Sequence, residues 1–449
     1  MKNKRFYIMA IVIYLVPVSF MFLTMIHPDI EITYSHALQL LTLLKNGEMD
    51  QFYLQSSNNP WGCPAYYNFP IYILFALWNL PIKILVHFTS LQEYSIISLL
   101  WCKAINIVFL ILCCYKIRNI MKKAGRNERN IMMAQILFIS SSSILLTTFV
   151  MSQYDIITLF FILWGIEVYI SNKKITCYFL FIFALANTFK MLGIFLLLPL
   201  LLLREKNILK VAGMFIVGIS GNILFSLYPG CASVSSIFTS QMLERIFDSQ
   251  ISGGMMNISI FMLIYILFCI YIYSIDPKEN DIYRYVMWIG TATYGAFTVF
   301  ADIHPQWSVL LIPFIILSTL EISTVHNINF LAEGLVNIGL AITECITYYY
   351  VFMQGSIFSS LLLPKVGLNP NPNNNLDILI KSTSYGSITY IFMAVFTAGV
   401  LVILYLSNPL KNKNKNCEIE LTRYDWGIII PRISFPYLYI VTLLFIAFF

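Results

Sequence analysis

Long apolar runs separated by short polar loops set the pattern of this chain. They occupy roughly 6–26, 70–89, 95–116, 131–150, 155–171, 176–203, 211–228, 257–275, 286–301, 306–320, 329–353, 384–407 and 433–449. At a rise of about 1.5 Å per residue, ~20 apolar residues cross the ~30 Å hydrocarbon core of a bilayer. The pattern predicts an all-α polytopic membrane protein with about 13 transmembrane helices and surface (juxtamembrane) helices in the first external loop. One transmembrane domain covers 1–449, with no soluble domain, linker or internal repeat.

Basic residues orient the runs. Lys2, Lys4 and Arg5 place the amino terminus in the cytoplasm, and the first run, too long for a signal peptide and with no small-x-small cleavage site before the acids, reads as a retained helix. Lys116, Arg118, Lys122, Lys123, Arg126 and Arg129, against Glu128 alone, make the next basic loop cytoplasmic as well. The chain between Asp29 and Lys116 must then cross an odd number of times, yet it holds two apolar runs. The run 70–89 is the one expected not to cross. It contains Pro81, Lys83 and His87 and the interfacial aromatics Tyr72, Phe75 and Trp78, and reads as a helix along or dipping into the outer surface.

Parity also shapes 176–203, which lies between Lys173-Lys174 and Arg204-Glu205-Lys206. It must turn back, with an apex near Asn187-Thr188-Phe189-Lys190. Arms of ~14 residues reach only ~21 Å, so the apex marks the floor or wall of a pit on the outer side, with Lys190 in it. By the same reckoning Ser152–Asp155, Ala301–Trp307, 229–256 and 354–383 lie outside. Loops 276–285, 321–328 and 408–426 lie inside.

Composition narrows the class. The chain is 59% hydrophobic and 11% charged, against about 25% charged in soluble domains. The net charge of +6 follows from the cytoplasmic loops, and no basic patch with interleaved aromatics points to nucleic acid. The nine cysteines have no metal or redox spacing. Cys63 and Cys231 fall in outer loops, which leaves a disulfide between them open.

The candidate chemistry collects at the outer ends of the helices. Asp29 and Glu31 follow the first run, on a loop before a helical segment from Tyr34 to Leu44 that stops at Asn46-Gly47. Asp155, Lys190, His304 and Gln306 share their layer, and Lys103 joins it from the outer half of 95–116. Ionisable groups at such depth are costly unless they face a cavity or a partner. A carboxylate there can take the proton of an attacking hydroxyl. A lysine can neutralise a departing phosphate. A surface helix and a short hairpin can admit a lipid sideways. Together these describe sugar transfer from a lipid-phosphate donor. Blander roles stand beside them: helix caps for Asp29, Glu31, Asp155 and His304, a snorkelling Lys190, and a structural Lys103. Transporters instead place polar groups near the midplane, where Glu333, Asn337 and Glu344 come closest.

Five motifs, in order, resemble the GT-C superfamily of integral-membrane glycosyltransferases, nearest in pattern to bacterial proteins related to the GPI mannosyltransferases. They are Asp29-Ile30-Glu31 followed by Tyr34 and Ala37; Tyr67-Asn68-Phe69-Pro70; Ser152-Gln153-Tyr154-Asp155; Ala186, Lys190 and Pro199; and His304-Pro305-Gln306-Trp307 with Pro313. The resemblance covers about 1–320 and leaves 321–449 as variable carboxyl-terminal helices. It implies inverting transfer of a mannose-like hexose from a polyprenyl-phosphate donor to a glycan or glycolipid acceptor, at the extracytoplasmic face of the cell membrane. Asp29 or Glu31 would be the base. Lys190, His304, Gln306 and Lys103 are the candidates for the donor phosphate, and Gln153, Asp155, Tyr34 and His36 would support them. No cofactor is called for, and dependence on a divalent metal stays open. The chain departs from the pattern at Ser152, where the family has glycine, and Asp-Ile-Glu leaves open which carboxylate is the base. The alternatives are a transporter or flippase of lipid-linked saccharides, or a polysaccharide polymerase or ligase.

Overall fold

The computed structural model describes residues 2–253, 256–322, 328–347, 356–369, 388–411 and 425–448. Helices follow the apolar runs. In chain order they are α1 (Lys2–Thr24), α2 (Pro28–Asn46), α3 (Phe69–Phe88), α4 (Ile96–Lys123), α5 (Glu128–Ile139), α6 (Ser142–Val150), α7 (Asp155–Ser171), α8 (Cys177–Phe189) and α9 (Ile194–Arg204). There follow α10 (Ile208–Ser226), α11 (Cys231–Ile246), α12 (Ile260–Tyr273), α13 (Ile282–Phe300), α14 (Ile312–Leu320), α15 (Ile328–Thr347), α16 (Ile388–Ser407) and α17 (Asp425–Phe448).

Five helical stretches, Phe69–Phe88, Ile96–Lys123, Ile208–Ser226, Ile328–Ile346 and Ile388–Ser407, are long and apolar enough to cross a membrane, and α5 with α6 makes a sixth if that bent pair is one span. The chain is therefore a helical, multi-pass membrane protein. The expected 13 crossings are not reproduced, because several runs form shorter helices. The run 257–275 shows why. Its first residues leave the helix for a β-hairpin, β1 (Gln250–Gly253) with β2 (Met256–Ser259), in which Ile251 pairs with Ile258. The fold is thus not purely helical. The Asn-Pro run after Asn369, the basic residues Lys413, Lys415 and Arg423, and the end of the run 329–353 lie outside the described residues.

Three local features position the site. The first is the start of α2. The carboxylates were expected on a loop, but Pro28 opens the helix with its preset φ, and His27 caps it in extended conformation. Asp29 and Glu31 therefore sit in the first turn of a helix, where its dipole favours negative charge. The helix stops as expected, at Gly47 in the left-handed region with φ 77°.

The second feature is the break between α5 and α6, a bend of 57°. Ser140 Oγ donates to Ile136 O at 2.6 Å, a back-bond that loosens a helix end. After the bend, Leu146–Val150 widens into a π turn, and the chain leaves it through Ser152 at φ 59°.

The third is the hairpin of α8 and α9. Arg204, at the end of α9, donates to Tyr169 O at 2.8 Å and to Asn172 O, next to where α8 begins. Both arms therefore start and finish at the same end of α7. Lys190, extended at φ −157° between them, lies at the other end beside Asp155, the first residue of α7.

The helix α3 packs along one side from Phe69 to Ile82, against α2 and α4, and its last turn and a half is largely exposed. Before its first turn, Asn68 reaches the ends of α8 and α10. Two turns later Phe75 meets Tyr154, and Trp78 stacks on Trp101 at 5.2 Å, near the start of α4.

Candidate functional site

Asp29, Tyr67, Gln153, Tyr154, Asp155, Lys190, His304 and Trp307 converge at that end. Asp29, its side chain 36% exposed, is half-buried, as are Tyr67 and His304, while the rest of the cluster is buried. His27 Nδ1 lies 3.2 Å from the Asp29 backbone nitrogen and 3.3 Å from its carboxylate. Gln153 Nε2 donates to the same carboxylate. Burial alone would raise the Asp29 pKa. The hydrogen bond and charge of His27, with Gln153 and His304, outweigh it and leave the carboxyl below its ordinary value. Glu31, about half a helical turn away, faces elsewhere. Its carboxyl is held above the ordinary value, mainly by burial, with His27 and a hydrogen bond from Trp61 opposing. The structure thus separates the two acids: Asp29 belongs to the cluster, and Glu31 belongs to the loop before α3.

Behind Asp29 sits a buried ion pair. Lys190 Nζ donates to Asp155 Oδ1 at 2.5 Å, and the two side chains are only 2% and 1% exposed. Three aromatic rings surround the ammonium, with Trp307 at 5.5 Å, Tyr67 at 5.8 Å and Tyr154 at 6.0 Å. Asp155 is not the helix cap; Tyr154 holds that position. Lys190 is not a snorkelling chain either, since its head group is enclosed by protein.

His304 precedes a short turn, Pro305–Leu310, but its side chain makes no capping bond. Its ring packs edge-on against Trp307 at 5.0 Å. Burial, then Arg245 and Lys190, lower its pKa to about 4, so it is neutral at physiological pH. Arg245, at the end of α11, was missed in the sequence because nothing around it marks a motif. It lies 3.6 Å from Asp302 and is half-exposed. Gln306 is buried behind the turn, and its Oε1 has no hydrogen-bond partner among the described residues.

Lys103 does not join the cluster. It is fully buried, and its ammonium donates to the carbonyls of Met25 at 2.6 Å, Phe149 at 2.7 Å and Phe22 at 3.1 Å. All three N–H groups are used to close the end of α1 onto α6, so the expectation of phosphate binding gives way to a structural role. Tyr34 and His36 lie on α2 and face the neighbouring loops. Tyr34 donates to Glu93 O at 2.9 Å, and His36 Nε2 bonds Cys63 O at 2.9 Å, which fastens α2 to the loops before α3 and α4. Cys63 and Cys231 are both free thiols.

The segment Tyr66–Asn68 forms one wall of a cleft. It is clamped from both sides: Tyr53 donates to Tyr67 O at 2.6 Å, and Tyr67 N donates to Tyr72 Oη at 3.0 Å. Asn68 Nδ2 donates to Thr188 O at 3.0 Å and to Asn222 Oδ1 at 2.7 Å. Asn222 can come so near because of the glycine before it. A Cβ at Gly221 would fall 1.9 Å from Thr188 Oγ1, so only glycine lets α10 approach α8 this closely. The cleft has a volume of about 260 Å³ and includes Lys190 in its lining.

Ser152 accounts for its own departure from the glycine pattern. It carries φ 59°, a left-handed backbone that costs a non-glycine residue about 1–2 kcal/mol. Its hydroxyl has no partner among the described residues, so removing it loses no bond. Ser152→Gly is expected to keep activity and to raise the thermal midpoint, less a partial offset of about 0.4–1 kcal/mol from the freer unfolded chain. Thermal unfolding of the two proteins side by side checks this, and a clear drop would show that the hydroxyl has a task.

No group of three or more metal-ligating side chains occurs among the described residues. No family model, curated protein or solved structure matches the chain.

Proposed function

We propose that this protein is a membrane glycosyltransferase that moves a hexose, mannose-like by the motif pattern, from a polyprenyl-phosphate donor to a glycan or glycolipid at the outer face of the cell membrane. The observation that carries the reading is Asp29: an ionised, solvent-reached carboxylate fixed by His27 and Gln153 beside a buried ion pair and a neutral histidine. Asp29 takes the proton of the acceptor hydroxyl as its oxygen attacks the anomeric carbon from the face opposite the phosphate; the bond from that carbon to the phosphate oxygen breaks, and polyprenyl phosphate leaves with the electron pair. The donor phosphate lies on the His304 side, where Arg245 offers a half-exposed positive charge. Lys190 has its charge taken up by Asp155, so its main part is to hold the site's shape.

Transfer of label from a polyprenyl-phosphate sugar by the reconstituted protein, with no ion gradient, tests the reading. Movement of substrate across vesicles without product would sink it. The polar groups that suggested transport have other work here. Glu333 accepts from Arg432 at 2.7 Å and Asn337 at 2.8 Å, while Glu344 accepts from Tyr439 at 2.5 Å. Ser141 donates to Asn337 at 3.0 Å. These bonds brace α15 and α17 against the bend between α5 and α6.

The pH dependence follows from the same groups. Asp29 stays ionised to below the usual carboxylate range, and His304 takes up a proton only near pH 4. The acid limb of the rate is expected below that of an unperturbed carboxylate. Folding stability should fall in the same direction, because the unfolded chain binds protons more readily at both groups. His304 acts from about pH 6.5 down to 4, and Asp29 from about pH 4 downward. A pH–rate profile with its acid midpoint near 6.5 would show that a charged histidine, not Asp29, controls turnover.

Topology supplies a further test. Phe69–Phe88 is long and apolar enough to cross, whereas the parity of the basic loops predicts that it lies on the outer surface. On that prediction a cysteine near Asn58 should react with an impermeant thiol reagent from outside, and one near Gly125 only after permeabilisation, in a background without reactive native cysteines. Labelling of the Gly125 position from outside would mean that α3 crosses the membrane.

A further inference from the structure

The cleft beside Lys190 has a chemistry of its own. Two side-chain amides, Asn68 and Asn222, are joined by a 2.7 Å hydrogen bond across its rim. Tyr66, Tyr67 and Met242 supply ring and thioether surface, and Ser226 adds a hydroxyl. The single charged residue among its lining side chains is Lys190, which already donates to Asp155 at 2.5 Å. Asp29 is close enough for its charge to act on both Lys190 and Tyr67. An anion entering here would meet a lysine whose charge Asp155 already takes up, and no other cation among the lining residues. A neutral polyol would meet Asn68 Oδ1 as an acceptor and the second N–H of Asn222 as a donor, since Asn68 Nδ2 is spent on Thr188 and Asn222 and the other Asn222 N–H goes to Met191 Sδ, and it would meet rings that can cover its C–H face. The volume of about 260 Å³ falls below the roughly 300–1,000 Å³ of pockets that enclose drug-sized ligands, so the cleft suits one ring and not a chain.

We propose that this cleft, between Tyr66–Asn68 on one side and Asn222 and Ser226 on the other, is the subsite for a single uncharged hexopyranose ring of the acceptor. The direction in which the ring points its hydroxyl, toward Asp29, rests on the transferase reading; the binding itself does not. The acceptor is thereby a neutral glycan end and not a sugar phosphate. The donor phosphate is left to the His304 and Arg245 side.

The test uses the full chain in lipid nanodiscs free of glycolipid and of sugar-headed detergent. The probes are the methyl hexopyranosides of mannose, glucose and galactose, with inorganic phosphate as competitor, and saturation-transfer NMR reads the binding. At least one hexoside is expected to bind, and phosphate is expected not to displace it. Asn222→Leu, at a half-buried position on α10, should weaken it about tenfold or more. Ser226→Trp should abolish it by filling the cleft, while the circular dichroism and thermal midpoint stay near those of the parent. The proposal is overturned if no hexoside binds, if phosphate displaces the hexoside, or if both variants bind as the parent does. Hexoside binding lost in Asn222→Leu, together with no sugar transfer from any polyprenyl phosphate, would keep the cleft as a saccharide site and remove the transferase reading instead.

Discussion

Asp29→Asn lowers turnover by about 10²–10⁴-fold, the usual cost of losing a general base, and leaves donor affinity nearly unchanged. The substitution keeps the shape of the side chain, and its oxygen can still accept from Gln153 Nε2, as the carboxylate does. The start of α2 is also kept, because Pro28 and the extended backbone of His27 set it and the Asp29 side chain does not. What is lost is the ability to take a proton. Glu31→Gln is the control. Glu31 sits in the same turn and feels the same helix dipole, but its carboxylate looks to Trp61 and not to the cluster, so turnover should be unaffected. The measurement is initial rate against donor concentration for each variant at equal folded protein. A loss in Glu31→Gln with full activity in Asp29→Asn would transfer the role of base to Glu31. Full activity in both would reduce the start of α2 to a stabilised helix end and remove the mechanism.

Much of this arrangement could be read from the chain, for physical reasons that differ from place to place. The hairpin apex at Lys190 followed from parity of crossings and from arms too short to span, both properties of sequence alone. The return of Arg204 to Tyr169 and Asn172 bears that reading out. The grouping of Asp29, Asp155, Lys190 and His304 followed from the cost of charge at membrane depth, which forces such groups toward one another, although Glu31 and Gln306, expected in the same layer, face elsewhere. The same rule misled at Lys103. A buried ammonium needs acceptors, and backbone carbonyls at a helix end serve as well as a ligand does, a choice no local pattern reveals. Within that group, the direct pairing of Lys190 with Asp155 was hidden. Asp155 lies 35 residues away, and its meeting with Lys190 depends on α7 and α8 lying side by side. Asn222 carries no motif; it matters because Gly221 lets α10 close on α8. The structure bears out a membrane-spanning helical chain without bearing out the count of 13, because apolar length does not say where a helix ends. Ser140 bends one run, and β2 takes the start of another.

The second large effect is on stability. Lys190→Ala leaves Asp155 as a buried, uncompensated carboxylate and is expected to destabilise the protein by about 3–5 kcal/mol; Asp155→Ala should do the same to Lys190. The penalty is desolvated charge without a partner, so removing both charges should cost far less than the two single losses added together. Lys190→Met with Asp155→Leu, which keeps the volume apolar among Tyr67, Tyr154 and Trp307, should recover most of the stability. A double-mutant cycle read by thermal or denaturant unfolding of the protein in nanodiscs measures this coupling directly. The same variants divide two roles for Lys190. If it only holds Asp155 and the rings in place, the Lys190→Met, Asp155→Leu protein keeps the parent's KM for the donor once folded protein is equalised. If its ammonium also meets the donor phosphate, KM rises in every variant lacking Lys190, however stable, because that charge is already present in the ground state. Lys190→Ala with unchanged stability and a raised donor KM would overturn the structural assignment and place the phosphate against Lys190, not against Arg245.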